Sequence, residues 1–244
     1  MSMRERRVLM IGAGGLGSPV GTLLARAGVG ELVVVDDDEV ELSNLQRQTL
    51  FRAEHAGRSK VTCARESLAE EAARAGHTHT RIVAREDRLY PDNALAHVRG
   101  FDLVVEGSDN YPTKFLTADA CHLAGVPCVQ AGAVRWVGWA LGSIPGVSAC
   151  LRCAFEDIPA GPDRGCSVAG VIGPVVGVVG ALQATIALRL LSGDPRAAGV
   201  LHHYRALPGV LRPLALRRNP SCPTCSGALT TLEPARYLPP DCAA

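Results

Sequence analysis

Between Val8 and Asp36 the chain reads VLMIGAGGLGSPVGTLLARAGVGELVVVD: an apolar run, a glycine-rich turn, a helical stretch and a second apolar run in direct succession. This order constrains the fold more than any other feature, because it describes one strand-loop-helix-strand unit of a parallel sheet that binds nucleotides. The glycines are Gly12-x-Gly14-x-x-Gly17. Gly12 suits a tight turn, Gly14 and the adjacent Gly15 let backbone N–H groups approach phosphate, and Gly17 permits close helix-strand packing. The helix is expected from Leu16 to Ala27, ended by Gly28, with its positive end facing the anion. Asp36 closes the second strand at about the 20-residue interval where an acid accepts hydrogen bonds from a ribose. A glycine-rich turn without a ligand is the plain alternative; strand, helix, second strand and acid together argue against it.

The chain has 244 residues and is 47% hydrophobic, enough for a large core, so one domain with a small appendage is expected. Its 25 basic and 24 acidic residues leave a formal charge of +1, which gives no reason to expect binding to nucleic acid or an anionic membrane. MSMRERRVLMIG runs from charge straight into the glycine loop and is not a signal peptide, so a cytoplasmic location is expected.

Beyond Asp36, the polar segment DDEVELSNLQRQTLF lies where a loop leaves the C-terminal edge of the sheet, the edge at which ligands bind. A helix follows from Arg58-Ser59-Lys60 to about Ala75, with Lys60 in its first turn, an unfavourable place for a cation. Residues 81–85 read as a third strand, 91–99 as a short helix and 101–106 as a buried strand. That strand ends in Gly107-Ser108-Asp109-Asn110 before a helix over 112–124. Residues 127–133 and 135–144 read as further strands, and 199–216 as a hairpin turning at Pro208-Gly209. The expected fold is a doubly wound, mostly parallel Rossmann-like α/β sheet with an antiparallel extension. Val168 to Leu188 is uncharged over 21 positions and long enough to span a membrane. Pro174, Gln183 and the absence of any companion segment favour a helix buried against the sheet or a partner subunit. Past Gly227 there is little pattern, and residues 228–244 are expected to form a disordered tail.

Nine cysteines in a reducing compartment point to metal ligands, nucleophiles or core residues rather than disulfides. Cys150-x-x-Cys153 and Cys222-x-x-Cys225 have the spacing at which both sulfurs of a knuckle reach one tetrahedral ion. Redox chemistry competes for a single such pair; two pairs favour a closed, structural zinc site. Cys63, Cys121, Cys128 and Cys242 lack a partner pattern. Cys166, in Asp163-Arg164-Gly165-Cys166-Ser167, precedes the apolar helix where a helix N-terminus and Arg164 would lower a thiol pKa; a packing role is the alternative.

The run Asp36-x-Asp38-x-Val40-x-x-Ser43-Asn44-Leu45-Gln46-Arg47-Gln48, then Gly57-x-x-Lys60, then Ser108-Asp109-Asn110, resembles the ATP site of the ubiquitin-activating enzyme superfamily. The two knuckles make it similar to the prokaryotic ThiF/MoeB-type branch, the sulfur-carrier-protein adenylyltransferases, and the likeness extends from residue 7 to about 226. It implies that ATP occupies the glycine loop and that the C-terminal glycine carboxylate of a small ubiquitin-like protein attacks the α-phosphate, giving an acyl-adenylate and pyrophosphate. It assigns Asp36 to the ribose, Asn44, Arg47 and Lys60 to the phosphates and Asp109 to a magnesium ion, with Asp38, Gln48 and Asn110 also among the residues that bind the cofactor. Cys166 matches a loop cysteine that some such enzymes use covalently in sulfur transfer. Such relatives carry an extra N-terminal helix with an arginine that reaches the neighbouring subunit's ATP; here the strand follows Arg4, Arg6 and Arg7 almost at once, so either one of these serves or the contact is dispensed with, and a homodimer with the apolar helix near its interface is expected. No rhodanese-like extension follows the second knuckle, so a separate sulfur donor is expected. Two rivals share parts of the pattern. A nicotinamide-dependent dehydrogenase would use the glycine loop and Asp36 but has no need of Arg47, Lys60 and Asp109, and a non-catalytic binding module would be expected to have lost some of them.

Overall fold

The computed structural model describes residues 2–159 and 170–238. Eight strands form one sheet: β1 (Arg7–Ile11), β2 (Glu31–Asp36), β3 (Arg81–Glu86), β4 (Leu103–Glu106), β5 (Cys128–Val134), β6 (Val137–Ser143), β7 (Val200–Arg205) and β8 (Val210–Ala215). Their spatial order is β3-β2-β1-β4-β5-β6-β7-β8. The first five are parallel, with Val8 beside both Leu32 and Leu103. The last three add on antiparallel: short turns join β5 to β6 and β7 to β8, whereas a short helix (Leu151–Phe155) and the long apolar helix lie between β6 and β7.

The central strands read as unbroken apolar runs because both of their faces are covered. Val8, Met10, Leu32, Val34, Leu103 and Val105 face α1 (Gly17–Arg26), α2 (Lys60–Arg74) and the long apolar helix. Leu9, Ile11, Val33, Val35 and Val104 face three further helices: α3 (Ala94–Val98), α4 (Tyr111–Ala124) and α5 (Leu151–Phe155). Each strand thus contributes alternate residues to two cores.

The long apolar helix, α6, spans Gly173–Leu191. By length and composition alone it could cross a membrane. One face, with Val175, Val179, Gln183 and Ile186, is buried, while Pro174, Gly177, Val178 and Ala181 are exposed. Gly138 and Gly142 of β6 admit it closely: a side chain at either would overlap Val179 or Ile186. Gln183 is not a flaw in this helix, since its Nε2 donates to the carbonyls of Glu106 at 2.7 Å and Val129 at 3.1 Å.

Past Gly227 the described chain still packs: Leu229, Leu232 and Tyr237 are buried, and the Tyr237 hydroxyl donates to Asp119 at 3.0 Å. This corrects the disordered tail for residues 228–238; residues 239–244 lie outside the described residues. The segment Asp163–Ser167, with Cys166, also lies outside them.

Candidate active site

The chain turns towards β2 and β3 on one side of β1 and towards β4 and β5 on the other, so a crevice opens at the C-terminal ends of β1 and β4. A cavity of about 300 Å³ occupies it. Gly12 adopts φ +87°, and its N–H donates to the Val35 carbonyl at 2.8 Å, which turns the chain sharply out of β1. Gly17 lies beneath, where any side chain would overlap the Gly12 carbonyl. Gly14 and Gly15 line the cavity. Asp36 is tied to the same loop, since its Oδ2 accepts the Ala13 N–H at 2.7 Å and its Oδ1 that of Asp38 at 3.0 Å. Burial pushes its carboxyl above the ordinary range, opposed by the charge of Lys60 and by those two N–H groups.

Lys60 is buried, not a solvated cation at a helix start. The reason is local. Gly57, at φ +78°, lets the chain turn so that Gly57 N–H donates to Val40 O and Lys60 N–H to Asp38 O, both at 2.9 Å. The Lys60 ammonium then reaches Asp38 Oδ2 at 2.6 Å, which offsets the unfavourable helix dipole. Arg47 and Gln48 also line the cavity, beside Gly15 and Gly14. Asn44 stands behind them: its Oδ1 accepts from Arg47 Nη2 at 3.0 Å, so it orients the guanidinium. The Gln48 side chain is buried against Gly14, and its Oε1 has no partner among the described residues.

The second strand-end loop closes the cavity. Asp109 is exposed at its mouth, and Asn110 Oδ1 accepts the Thr113 N–H at 2.9 Å, capping α4. Below them Glu106 is fully buried, paired with Lys114 at 2.8 Å. Trp139 forms part of the far wall, where Gly132 leaves the room its indole needs. Arg6 and Arg7 lie at the other edge of the sheet, Arg6 paired with Asp102 and Arg7 with Glu31.

Away from the cavity, the four knuckle sulfurs converge. Cys150 Sγ lies 3.8 Å from Cys153, 3.6 Å from Cys222 and 3.5 Å from Cys225, and Cys153 lies 3.5 Å from Cys225. Disulfides would need about 2.0 Å. A tetrahedron with 2.3 Å metal-sulfur bonds has edges of about 3.8 Å, so the set fits a zinc-sized ion. Burial pushes the Cys150 thiol up, and the charge of a cation is what would keep four such sulfurs ionised together.

A model of the ThiF family matches residues 1–224. The chain belongs to the ThiF family. It is 39% identical over 235 residues to the SAMP-activating enzyme E1 of Haloferax volcanii, covering 95% of this chain and 85% of that one. It is 40% identical over 225 residues to the sulfur carrier protein ThiS adenylyltransferase of Escherichia coli K12, covering 92% and 87%. Among solved structures, E. coli MccB with MccA-N7isoASN superposes with a TM-score of 0.80 at 21% identity, over 92% of this chain and 68% of that one, a likeness of fold.

In this ThiF-family chain Gly12, Gly14, Gly15, Asp36, Asp38, Arg47, Gln48, Lys60, Asp109 and Asn110 all line one cavity. Gly17 and Asn44 do not line it and act through Gly12 and Arg47. Asp109 belongs to no preformed cluster of metal donors among the described residues. Reading the sequence missed Glu106, Lys114 and Trp139. The signal available was a carboxylate ending an apolar strand, with a lysine one helical turn beyond Asn110, which only pairing across the fold makes meaningful.

Proposed function

We propose that the chain adenylates the C-terminal glycine of a small ubiquitin-like sulfur-carrier protein. The observation that carries this reading is the convergence of Arg47, Lys60 and Asp109 on the cavity that holds the glycine loop and Asp36. The names of its relatives, a sulfur carrier protein adenylyltransferase among them, support it. A carboxylate oxygen of the carrier forms a bond to the α-phosphorus, the bond from that phosphorus to the bridging oxygen breaks, and pyrophosphate leaves with the electron pair. The nucleophile is already ionised, so the site needs no general base. Its work is to align two anions and to neutralise charge on the leaving group. Arg47 and Lys60 supply that charge, and the backbone N–H groups of the glycine loop hold phosphate. A single carboxylate, Asp109, suits magnesium, which is commonly held by one or two carboxylates plus substrate phosphates; bound there, the ion would neutralise phosphate charge. The four cysteines hold a structural zinc. The exposed stripe of Pro174, Gly177, Val178 and Ala181 on α6 is small, apolar and uncovered, which supports a homodimer through that helix. A cytoplasmic setting completes the reading.

Exchange of labelled pyrophosphate into ATP tests it, because pyrophosphate re-forms ATP only after a carboxylate has displaced it. Exchange should require a Gly-Gly-ended carrier and should vanish in Asp109→Ala while ATP still binds. Exchange without any carrier would defeat the reading.

A further inference from the structure

The pairing of β4 with β5 ends at Glu106 opposite Gln130, and beyond it the two strands part. The Ser108–Asn110 loop and β5 from Gly132 to Val134 both line the cavity. Lys114, rising from the first turn of α4, spans this fork. Its ammonium donates to Glu106 Oε2 at 2.8 Å, to the Ser108 carbonyl at 2.7 Å and to the Ala131 carbonyl at 2.6 Å. Three N–H groups meet three acceptors, so Lys114 has none left for a phosphate. Glu106 holds the same loop from below, where its Oε1 accepts from both the N–H of Ser108, at 2.7 Å, and its hydroxyl. Ser108 is therefore gripped at its nitrogen, its hydroxyl and its carbonyl, immediately before Asp109. Gln130 adds a bond to the Lys114 carbonyl at 2.7 Å, so the start of α4 is tied to β5 as well.

We propose that Glu106 and Lys114 are a positioning pair for adenylation, setting the spacing between the Asp109 loop and the β5 wall across which nucleotide and carrier carboxylate must align. The inference rests on the adenylation reading. A buried carboxylate beneath an anion-binding cavity raises the repulsion felt by phosphate unless it is neutralised, and a saturated lysine neutralises it without competing for the substrate. Misplacement of reacting groups by about 1 Å is enough to cost ~10²-fold in rate.

The test compares ATP KM and kcat for pyrophosphate exchange, using the Gly-Gly-ended protein that co-purifies with the wild type. Lys114→Met should lower kcat by ~10²-fold with KM for ATP changed less than about threefold, the pattern of an interaction felt in the transition state. Lys114→Arg, which keeps the charge and the donors, should recover at least about a tenth of wild-type kcat. If Lys114→Met fails to fold, Glu106→Gln/Lys114→Met removes both charges together, leaves no uncompensated ion, and should show the same loss of kcat. A double variant with wild-type kcat, or a Lys114→Met whose whole effect lies in KM, would overturn the positioning role. If the wild type exchanges and Arg47→Ala does not, adenylation stands whatever the Lys114 variants do. Absence of exchange in the wild type would instead remove the adenylation reading itself.

Discussion

Helix α4 carries two buried ion pairs, one at its first turn and one past its middle, that serve different purposes. Near its start Lys114 meets Glu106, and the pair opens onto the nucleotide cavity through Ser108 and Asp109. Five residues on, Asp119 is wholly buried and receives the guanidinium of Arg152, whose Nε lies 3.1 Å from both carboxylate oxygens and whose Nη2 lies 3.0 Å from Oδ2. Thr224 and Tyr237 complete its shell at 2.9 and 3.0 Å. Arg152 sits inside the first cysteine pair and Thr224 inside the second, so Asp119 brings both knuckles into register from behind. The lysine pair uses a compact charge to tie backbone around a space that must stay open, whereas the arginine pair uses a planar fork to close a space completely. The difference teaches that a buried ion pair can serve either activity or assembly, according to which of its remaining hydrogen bonds leads to a cavity.

The comparison can be broken most forcefully at the metal. Structural zinc in small domains contributes on the order of 10 kcal/mol, so the purified protein should hold about one zinc per chain and Cys222→Ser should lose it, with residues 219–238 becoming protease-sensitive. Elemental analysis without zinc, or with zinc kept in Cys222→Ser, would contradict this. Next in size, Asp119→Ala leaves the buried Arg152 guanidinium only the exposed Asp157 carboxylate as a charged partner, and should cost about 3 kcal/mol in urea unfolding, while exchange per folded molecule persists. Loss of exchange in a folded, zinc-loaded Asp119→Ala would mean that the two ion pairs of α4 are not separable. Within the cavity, Arg47→Ala and Lys60→Ala should each slow pyrophosphate exchange by ~10²–10³, close to 3–4 kcal/mol of transition-state stabilisation, with smaller changes in unfolding midpoint. The gentlest probe is Tyr237→Phe, which removes one hydrogen bond to a charged group and should cost about 1.5 kcal/mol in stability, leaving exchange and zinc content unchanged. A neutral result there would detach the segment after Gly227 from the Asp119 cluster.

Local pattern alone determined a good deal about this protein. Apolar runs and glycines between Val8 and Asp36 specify a strand, a turn and a helix, because each rests on neighbours in the chain and on the fixed periods of the backbone. The two cysteine pairs likewise announce a tetrahedral site, since knuckle spacing is a local property. What lies between distant segments was decided only by the fold. Lys60 read as a cation at an unfavourable helix start, tied to phosphate only through a family resemblance; Gly57 and the pairing of residues 38–40 with 57–60 are what bring Asp38 against it. Gln183 read as an interruption of an apolar helix until two strand-end carbonyls met it. Residues 228–238 read as tail because a single buried tyrosine, bonded to Asp119 across 118 positions, leaves no periodic trace. Lys114 and Glu106 drew no attention because neither charge is unusual alone, and burial of both at the fork of β4 and β5 is what turns them into a pair. A sequence displays preferences that act within a few residues; the partners of a buried charge or amide are chosen by packing across the whole chain, and so they become visible only when the chain has folded.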